Sequence, residues 1–308
     1  MTSAQLLGRI QAYKFFRDDS IPFDSDEMFV SATLAQREIC QFLPALKKRV
    51  RLVTVSGQEF YTFPELTPTA VSTATPIQVT TDSPHGLQTG DSALVAGVLG
   101  ITEANGIRTV TRVDDTNFTL DDSVGSGTYT AATGIVVHAM YSARIISSGR
   151  KVSDDGGVLE VVGMDMLDKY RSFFTSNSAA SEVVRIGVTF EESPEIAFQG
   201  VPGSAITTEF HITRIPILQE TISEDLNPIL PFSFDEILIA GTTAKYISNL
   251  ESEVMISSGS RRQPMMSKVE ALAQSQTAKY WQLLNMHRQR TGLNRMPRPR
   301  TAPPFRMQ

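Results

Sequence analysis

The stretch TDSPHGLQTGDSALVAGVLG, residues 81–100, holds one His, two Asp and four Gly in twenty residues. Its first half admits two readings. His85 and Asp91 could form a ligand pair, or the segment could be a punctuated turn. Gly86 and Gly90 supply positive φ at two bends. Asp91 can close a turn through its own side chain. Pro84 adds a further turn former, and SALVAG (92–97) then reads as a strand. The turn-then-strand reading accounts for every residue type present, so His85 is assigned to the turn.

Outward from this stretch the same style continues. Between about 67 and 138, Thr, Ser, Val and Gly dominate and no helical period is found. Strand candidates recur at PIQVTT (76–81), SALVAG (92–97), IRTVTRV (107–113), FTLD (118–121) and GIVVHA (134–139). The turn formers SPHGLQTGD, TEANG, DDTN and VGSGTYT separate them, and Asn105-Gly106 suits a tight turn that needs positive φ. Short strands at regular spacing predict a small all-β barrel or sandwich.

The flanks read differently. Residues 3–17 carry Leu6, Ile10 and Tyr13 at helical spacing, with Thr2 or Ser3 as cap. Asp24 stands three residues before Glu27, the spacing of a capping box, and a second helix follows with Phe29, Ala32, Ile39 and Leu43 on one face. Pro44 ends or kinks it at Leu43. KKRVR leads into RLVTVSGQEFYTF, which reads as strands, and YSARII, EVVRIGVTF, EIAFQG and TTEFHITRIPI read as more, with SSGRKVSDDGG as a loop and VLEVVGMDMLDKYRSFF as a strand feeding a short helix. LPFSFDEILIAGTTAKYISNLESEVMI predicts a strong helix, with Phe234, Leu238, Gly241, Ala244, Ile247 and Met255 on a broad face. A last helix over 265–290 carries Val269, Leu272, Ala273, Tyr280 and Leu284. The expected fold class is α+β: a helical bundle with an antiparallel sheet, interrupted by a small all-β barrel or sandwich insertion, with an extended C-terminal arm. The expected domains are 1–66 plus 139–290 as the core, 67–138 as the inserted β-module, and 291–308 as the arm.

Composition narrows the function classes. With 308 residues and 41% apolar content, the chain can bury a sizeable core. Nothing resembles an 18-residue apolar span, so no membrane partner is expected. The polar start MTSAQLLGRIQAYKFFRDDS does not read as a secretory signal. The one cysteine, Cys40 in REICQFL, reads as a small buried hydrophobe and excludes an intrachain disulfide. The net charge of −5 is unevenly spread: residues 271–308 hold Lys279 and six Arg with no Asp or Glu, so that segment is +7 and the remainder −12. A basic tail on an acidic body suggests an acidic target: nucleic acid, a partner protein or another copy of the chain.

No catalytic constellation stands out. The phosphate-binding loop G-x-x-x-x-G-K-[ST], the zinc motif H-E-x-x-H and the nucleophile elbow G-x-S-x-G are all missing, and G-S-G at 125–127 lacks the following helix of a dinucleotide loop. The His at 85, 138, 211 and 287 do not fall at metal-ligand spacing. The acidic pairs Asp114-Asp115, Asp121-Asp122, Asp154-Asp155 and Glu191-Glu192 sit beside turn formers and read as solvated turns. No catalytic, cofactor-binding or metal residue is therefore assigned, and an enzyme is not expected.

Two resemblances complete the reading. T-x-x-PHGL-x-TGD-x-x-x-V-x-G-V, followed by NG-x-x-TV and FTLD, is similar to the small β-barrel module named for the first catalytic cysteine half-domain of ubiquitin-activating enzymes. That module recurs in virion proteins of tailed phages. The resemblance covers roughly 75–138, includes no Cys, and implies a fold rather than catalysis, with Pro84, His85, Gly86, Gly90, Asp91, Asn105 and Gly106 as structural turn residues. The frame around it, with EIAFQGVP, TTEFHIT and LPFSFDEILIAGTTA leading into a long helix, resembles phage head-to-tail adaptor proteins. This resemblance implies a ring of twelve subunits in the virion, made in the host cytoplasm, joining a portal protein to a tail or nozzle protein. DNA would pass through its lumen without specific binding. Arg288, Arg290, Arg295, Arg298, Arg300, Phe305 and Arg306 are the expected docking residues for the portal or a neighbouring subunit. The alternative is an outer tail or baseplate protein whose β-module binds a host surface or another virion protein.

Overall fold

Every residue of Ser92–Ala96 is buried, although a strand on the rim of a solvated module would alternate. This one strand sets the architecture. In the computed structural model, residues 1–13, 16, 23–152, 157–167, 185–189, 195–199, 204–257 and 263–290 are described. Helices α1 (Ser3–Gln11) and α2 (Ser25–Phe42) precede strands β1 (Leu46–Val53) and β2 (Phe60–Thr62). Six strands follow: β3 (Pro68–Val71), β4 (Ile77–Thr81), β5 (Ser92–Ala96), β6 (Gly106–Arg112), β7 (Asn117–Leu120) and β8 (Ile135–His138). Next come β9 (Ala143–Lys151), β10 (Val158–Gly163), β11 (Arg185–Thr189), β12 (Glu195–Phe198) and β13 (Thr207–Arg214). Helices α3 (Asp235–Ser257) and α4 (Gln263–Arg290) end the described chain.

The strands form two curled sheets. Seven run in the order β1-β13-β9-β10-β11-β12-β2, and six in the order β3-β4-β7-β6-β5-β8. All pairs are antiparallel except β10 with β11. The edges of the six-stranded sheet meet where Leu66, just ahead of β3, exchanges both backbone hydrogen bonds with Val136 of β8. Leu66, Val71, Ile77, Val79, Val95, Val110, Phe118 and Leu120 fill the space inside.

The expected helical bundle with a small β insertion is not what forms. Thirteen strands in two half-barrel sheets frame the protein, against four α-helices longer than two turns among the described residues. The reason lies in β5. Ala93 and Val95 point into the six-stranded core, while Leu94 and Ala96 belong to a second core with Val50, Leu52, Phe198, Phe210 and Ile212 of the seven-stranded sheet. Val137 and Ala139, at and just after β8, join that second core as well. One strand thus has two cores, and the sheets are fused along it.

Two compact units emerge. The first holds Met1–Gln5 and Gln36–Pro231, including both sheets; the second holds Leu6–Ala35 and Phe232–Gln308. In the second unit, helical segments from both ends of the chain meet. Gly241 of α3 is close-packed, because a Cβ there would lie 2.9 Å from the Tyr280 ring of α4 and 3.2 Å from Ala35 of α2. Thr2 and Gln5 cap α1 reciprocally, each side chain taking the other's backbone N–H. The helix stops at Gln11, short of the expected residue 17. Asp24 Oδ1 accepts the N–H groups of Asp26 and Glu27 at the start of α2. Its own N–H donates to the buried Tyr246 hydroxyl at 2.9 Å, so a tertiary contact completes the cap.

Candidate functional site

The turn ahead of β5 uses its polar groups on backbone. Gly86 and Gly90 adopt φ of 64° and 98°. His85 is buried and edge-on to Phe118, with ring centroids 5.1 Å apart. Its Nδ1 accepts the Leu87 N–H at 3.0 Å, which places the ring proton on Nε2, facing the Asn117 carbonyl at 3.4 Å. Pro84 is exposed beside it. Both nitrogens of His85 therefore serve the turn.

Asp91 is 2% exposed and fully engaged. Oδ2 accepts the Gln88 N–H at 2.7 Å and closes the turn. Oδ1 accepts the Val53 N–H at 2.6 Å from the outer edge of β1, and the neighbouring Ser92 Oγ accepts the Arg51 N–H at 3.0 Å. The Gly-Asp-Ser step thus covers part of an open sheet edge that would otherwise present unsatisfied amides. Further along, Asn105 is extended (φ −67°), and Gly106 alone takes positive φ, 119°. The Asn105 side-chain amide instead pairs with both backbone groups of Val98, at 2.9 and 2.8 Å.

A cavity of about 190 Å³ opens beside this turn, lined by Leu52, Tyr61, Phe63, His85, Asp91 and His138 among others. His138 stacks on Phe63 with ring centroids 4.8 Å apart, and its Nδ1 accepts the Met140 N–H at 3.2 Å. Its Nε2 points toward Asp91 Oδ1 at 3.9 Å without a hydrogen bond. Neither imidazole is hydrogen-bonded to a hydroxyl or thiol, and no group of three metal-ligating side chains exists among the described residues. The chemistry of this cluster is backbone capture. Of the acidic pairs, Asp114 accepts the Thr116 and Asn117 N–H groups, which holds its carboxyl below the usual range. Asp154-Asp155 and Glu191-Glu192 lie outside the described residues.

Of the expected docking residues, Arg288 and Arg290 are both exposed in the last turn of α4, where cations favour the helix dipole. His287 packs against Phe234 at 4.4 Å; burial, then the charge of Arg290, pushes its pKa below the ordinary value. Arg295, Arg298, Arg300, Phe305 and Arg306 lie outside the described residues.

A basic cluster that the sequence reading passed over as a lead-in occupies the outer face of the seven-stranded sheet. Arg51, Glu209 and Arg150 stand side by side on β1, β13 and β9. The Glu209 side chain is only 5% exposed, whereas those of Arg49, Arg51 and Arg150 are 67%, 46% and 52% exposed. Arg150 donates to Glu209 Oε1 through Nε and Nη2, at 3.2 and 2.9 Å, and Arg49, Arg51 and His211 each stand 3.9 Å from the same carboxylate. The alternation R49-V50-R51-L52 carried the signal, with charges on one face and core on the other. No protein-family model matches this chain, and no curated protein is similar to it in sequence.

Proposed function

We propose that this chain is a structural virion protein, the subunit of an adaptor ring between a portal protein and a tail or nozzle protein. The observation that carries the reading is the C-terminal charge pattern. Helix α4 ends on exposed Arg288 and Arg290, and the sequence beyond it, TGLNRMPRPRTAPPFRMQ, holds four more Arg, four Pro and no acid. Arginine pairs bidentately with carboxylates, which suits a docking role for these residues together with Phe305. The sequence blocks that resemble adaptors support the reading too, and they fall on β12, β13 and α3. Twelve copies form the ring, DNA passes through it without specific binding, and the protein resides at the head-to-tail interface after synthesis in the host cytoplasm. No membrane is involved in this reading.

The test is mass photometry of the protein mixed with the portal protein of the same genome. The full chain should add about twelve copies to each portal ring, the stoichiometry that the adaptor resemblance implies. A variant with Arg295, Arg298, Arg300 and Arg306 replaced by Ser should add none. If neither protein binds the portal, the adaptor reading fails and the tail or baseplate reading replaces it. Equal binding by both would keep the adaptor and remove the docking role of the C-terminal arginines.

A further inference from the structure

The basic face has a composition that points to a ligand class. Arg49, Arg51 and Arg150 surround one carboxylate, Glu209, so the cluster carries +2 before His211 is counted, and Lys47 and Lys48 add two more charges along the groove beside it. Glu209 is too buried to neutralise anything outside the cluster. It acts as a post that holds Arg150 and draws in Arg49, Arg51 and His211, leaving their remaining N–H groups outward. An open groove of about 730 Å³ runs beside them, lined by Pro44, Lys47, Lys48, Arg49, Ser147 and Thr213 among others. Since the amides of Arg51 and Val53 point off the edge of β1, strand alternation puts those of Lys47 and Arg49 on the same side. Phosphate oxygens accept from all three donor types: guanidinium, ammonium and backbone N–H.

We infer that this face binds the phosphate backbone of duplex nucleic acid without reading its sequence. Two features select that occupant. A stable protein interface needs a desolvated apolar centre, and around Glu209 the flanking residues on β1, β13 and β9 are mainly Lys, Arg, His, Ser and Thr, with Val53, Ile145 and, across from Arg150 on β10, Val158 as apolar residues at the margin. Single strands are held by stacking bases on aromatic rings, and the groove is lined by no Phe, Tyr or Trp. What remains is electrostatic attachment to a regular array of phosphates, which is salt-sensitive and sequence-independent. This inference stands apart from the adaptor reading, because the protein can hold a duplex with no portal present.

The experiment is fluorescence anisotropy of a labelled mixed-sequence duplex across about 50 to 200 mM salt. The reference is the full chain with Arg295, Arg298, Arg300 and Arg306 changed to Ser, so that the basic C-terminus cannot mask the face. Two variants are made on it, R49Q/R51Q and K47Q/K48Q. The first leaves Arg150 on Glu209; the second alters exposed strand residues only. The reference should bind, and each variant should lose at least roughly tenfold in affinity at low salt, with a log–log salt slope shallower by about 2. Circular dichroism confirms that the variants fold. The inference is overturned if the reference does not bind the duplex, if both variants bind like the reference, or if a single strand of the same length binds more tightly. It is also overturned if the variants dissolve a self-association of the protein while duplex affinity is unchanged, since the face would then meet an acidic surface of a second copy.

Discussion

Cys40 sits in α2 at 2% exposure, and burial pushes its thiol pKa from 9.0 up to about 12. The positive charge of Arg214 pulls the other way, and Glu220, its ion-pair partner, offsets part of that. Three pKa units mean about a thousandfold less thiolate at any pH well below 9. Reaction with a disulfide reagent at pH 8 is therefore expected to run at least about a thousandfold slower in buffer than in concentrated urea. A native rate within tenfold of the unfolded one would remove the thiol from the core. The same shift predicts alkaline sensitivity. The fold favours the protonated thiol, so this stabilisation is complete below about pH 9 and is lost as the pH rises toward about 12. Cys40→Ala, which has no proton to lose, should shift the alkaline unfolding midpoint upward.

Elements explain what the sequence disclosed and what it hid. The five strand candidates between 76 and 139 reappear as β4 to β8 because Gly, Asn and Asp mark their ends with local turn chemistry. β3 was missed, since Pro68 opens it and TPTA reads as a turn. Ser147–Lys151 reads locally as a loop, yet it continues β9, held by β13 through Lys151↔Thr208 and by β10 through Arg150↔Val158. Those partners are distant in sequence, so no local pattern announces them. The joint between β1 and β5 was hidden in the same way. Asp91 was legible as a turn residue through Gln88, but its second oxygen serves Val53, 38 residues away. Asp91→Ala would leave two amides, Val53 on β1 and Gln88 in the turn, without their acceptor. Each such loss costs about 1–3 kcal/mol, so urea unfolding should show a destabilisation of about 3 kcal/mol. Ser92→Ala, which removes one neutral acceptor, should cost about 1 kcal/mol. Equal costs for the two would mean that the carboxylate does not bridge the elements.

At the scale of the molecule, the lesson of β5 is about cooperativity. An insertion connected only by its two chain ends would open and close independently of its host. Here Leu94 and Ala96 lie in the core of the seven-stranded sheet, and Ala93 and Val95 in the core of the six-stranded one. Neither sheet can lose its interior without exposing one face of the other's wall. Native-state hydrogen exchange should therefore give Val110 and Leu120 of the six-stranded sheet the same opening free energy as Phe210 and Ile212 of the seven-stranded one, within about 1 kcal/mol. Leu94→Ala removes a fully buried side chain on one face only, and should lower both sets together by about 2–5 kcal/mol. If it weakens Phe210 and Ile212 while Val110 and Leu120 keep their protection, the two sheets are separate folding units that merely touch. The apolar run ALVA would then be an interface rather than the common wall that makes the first unit one body.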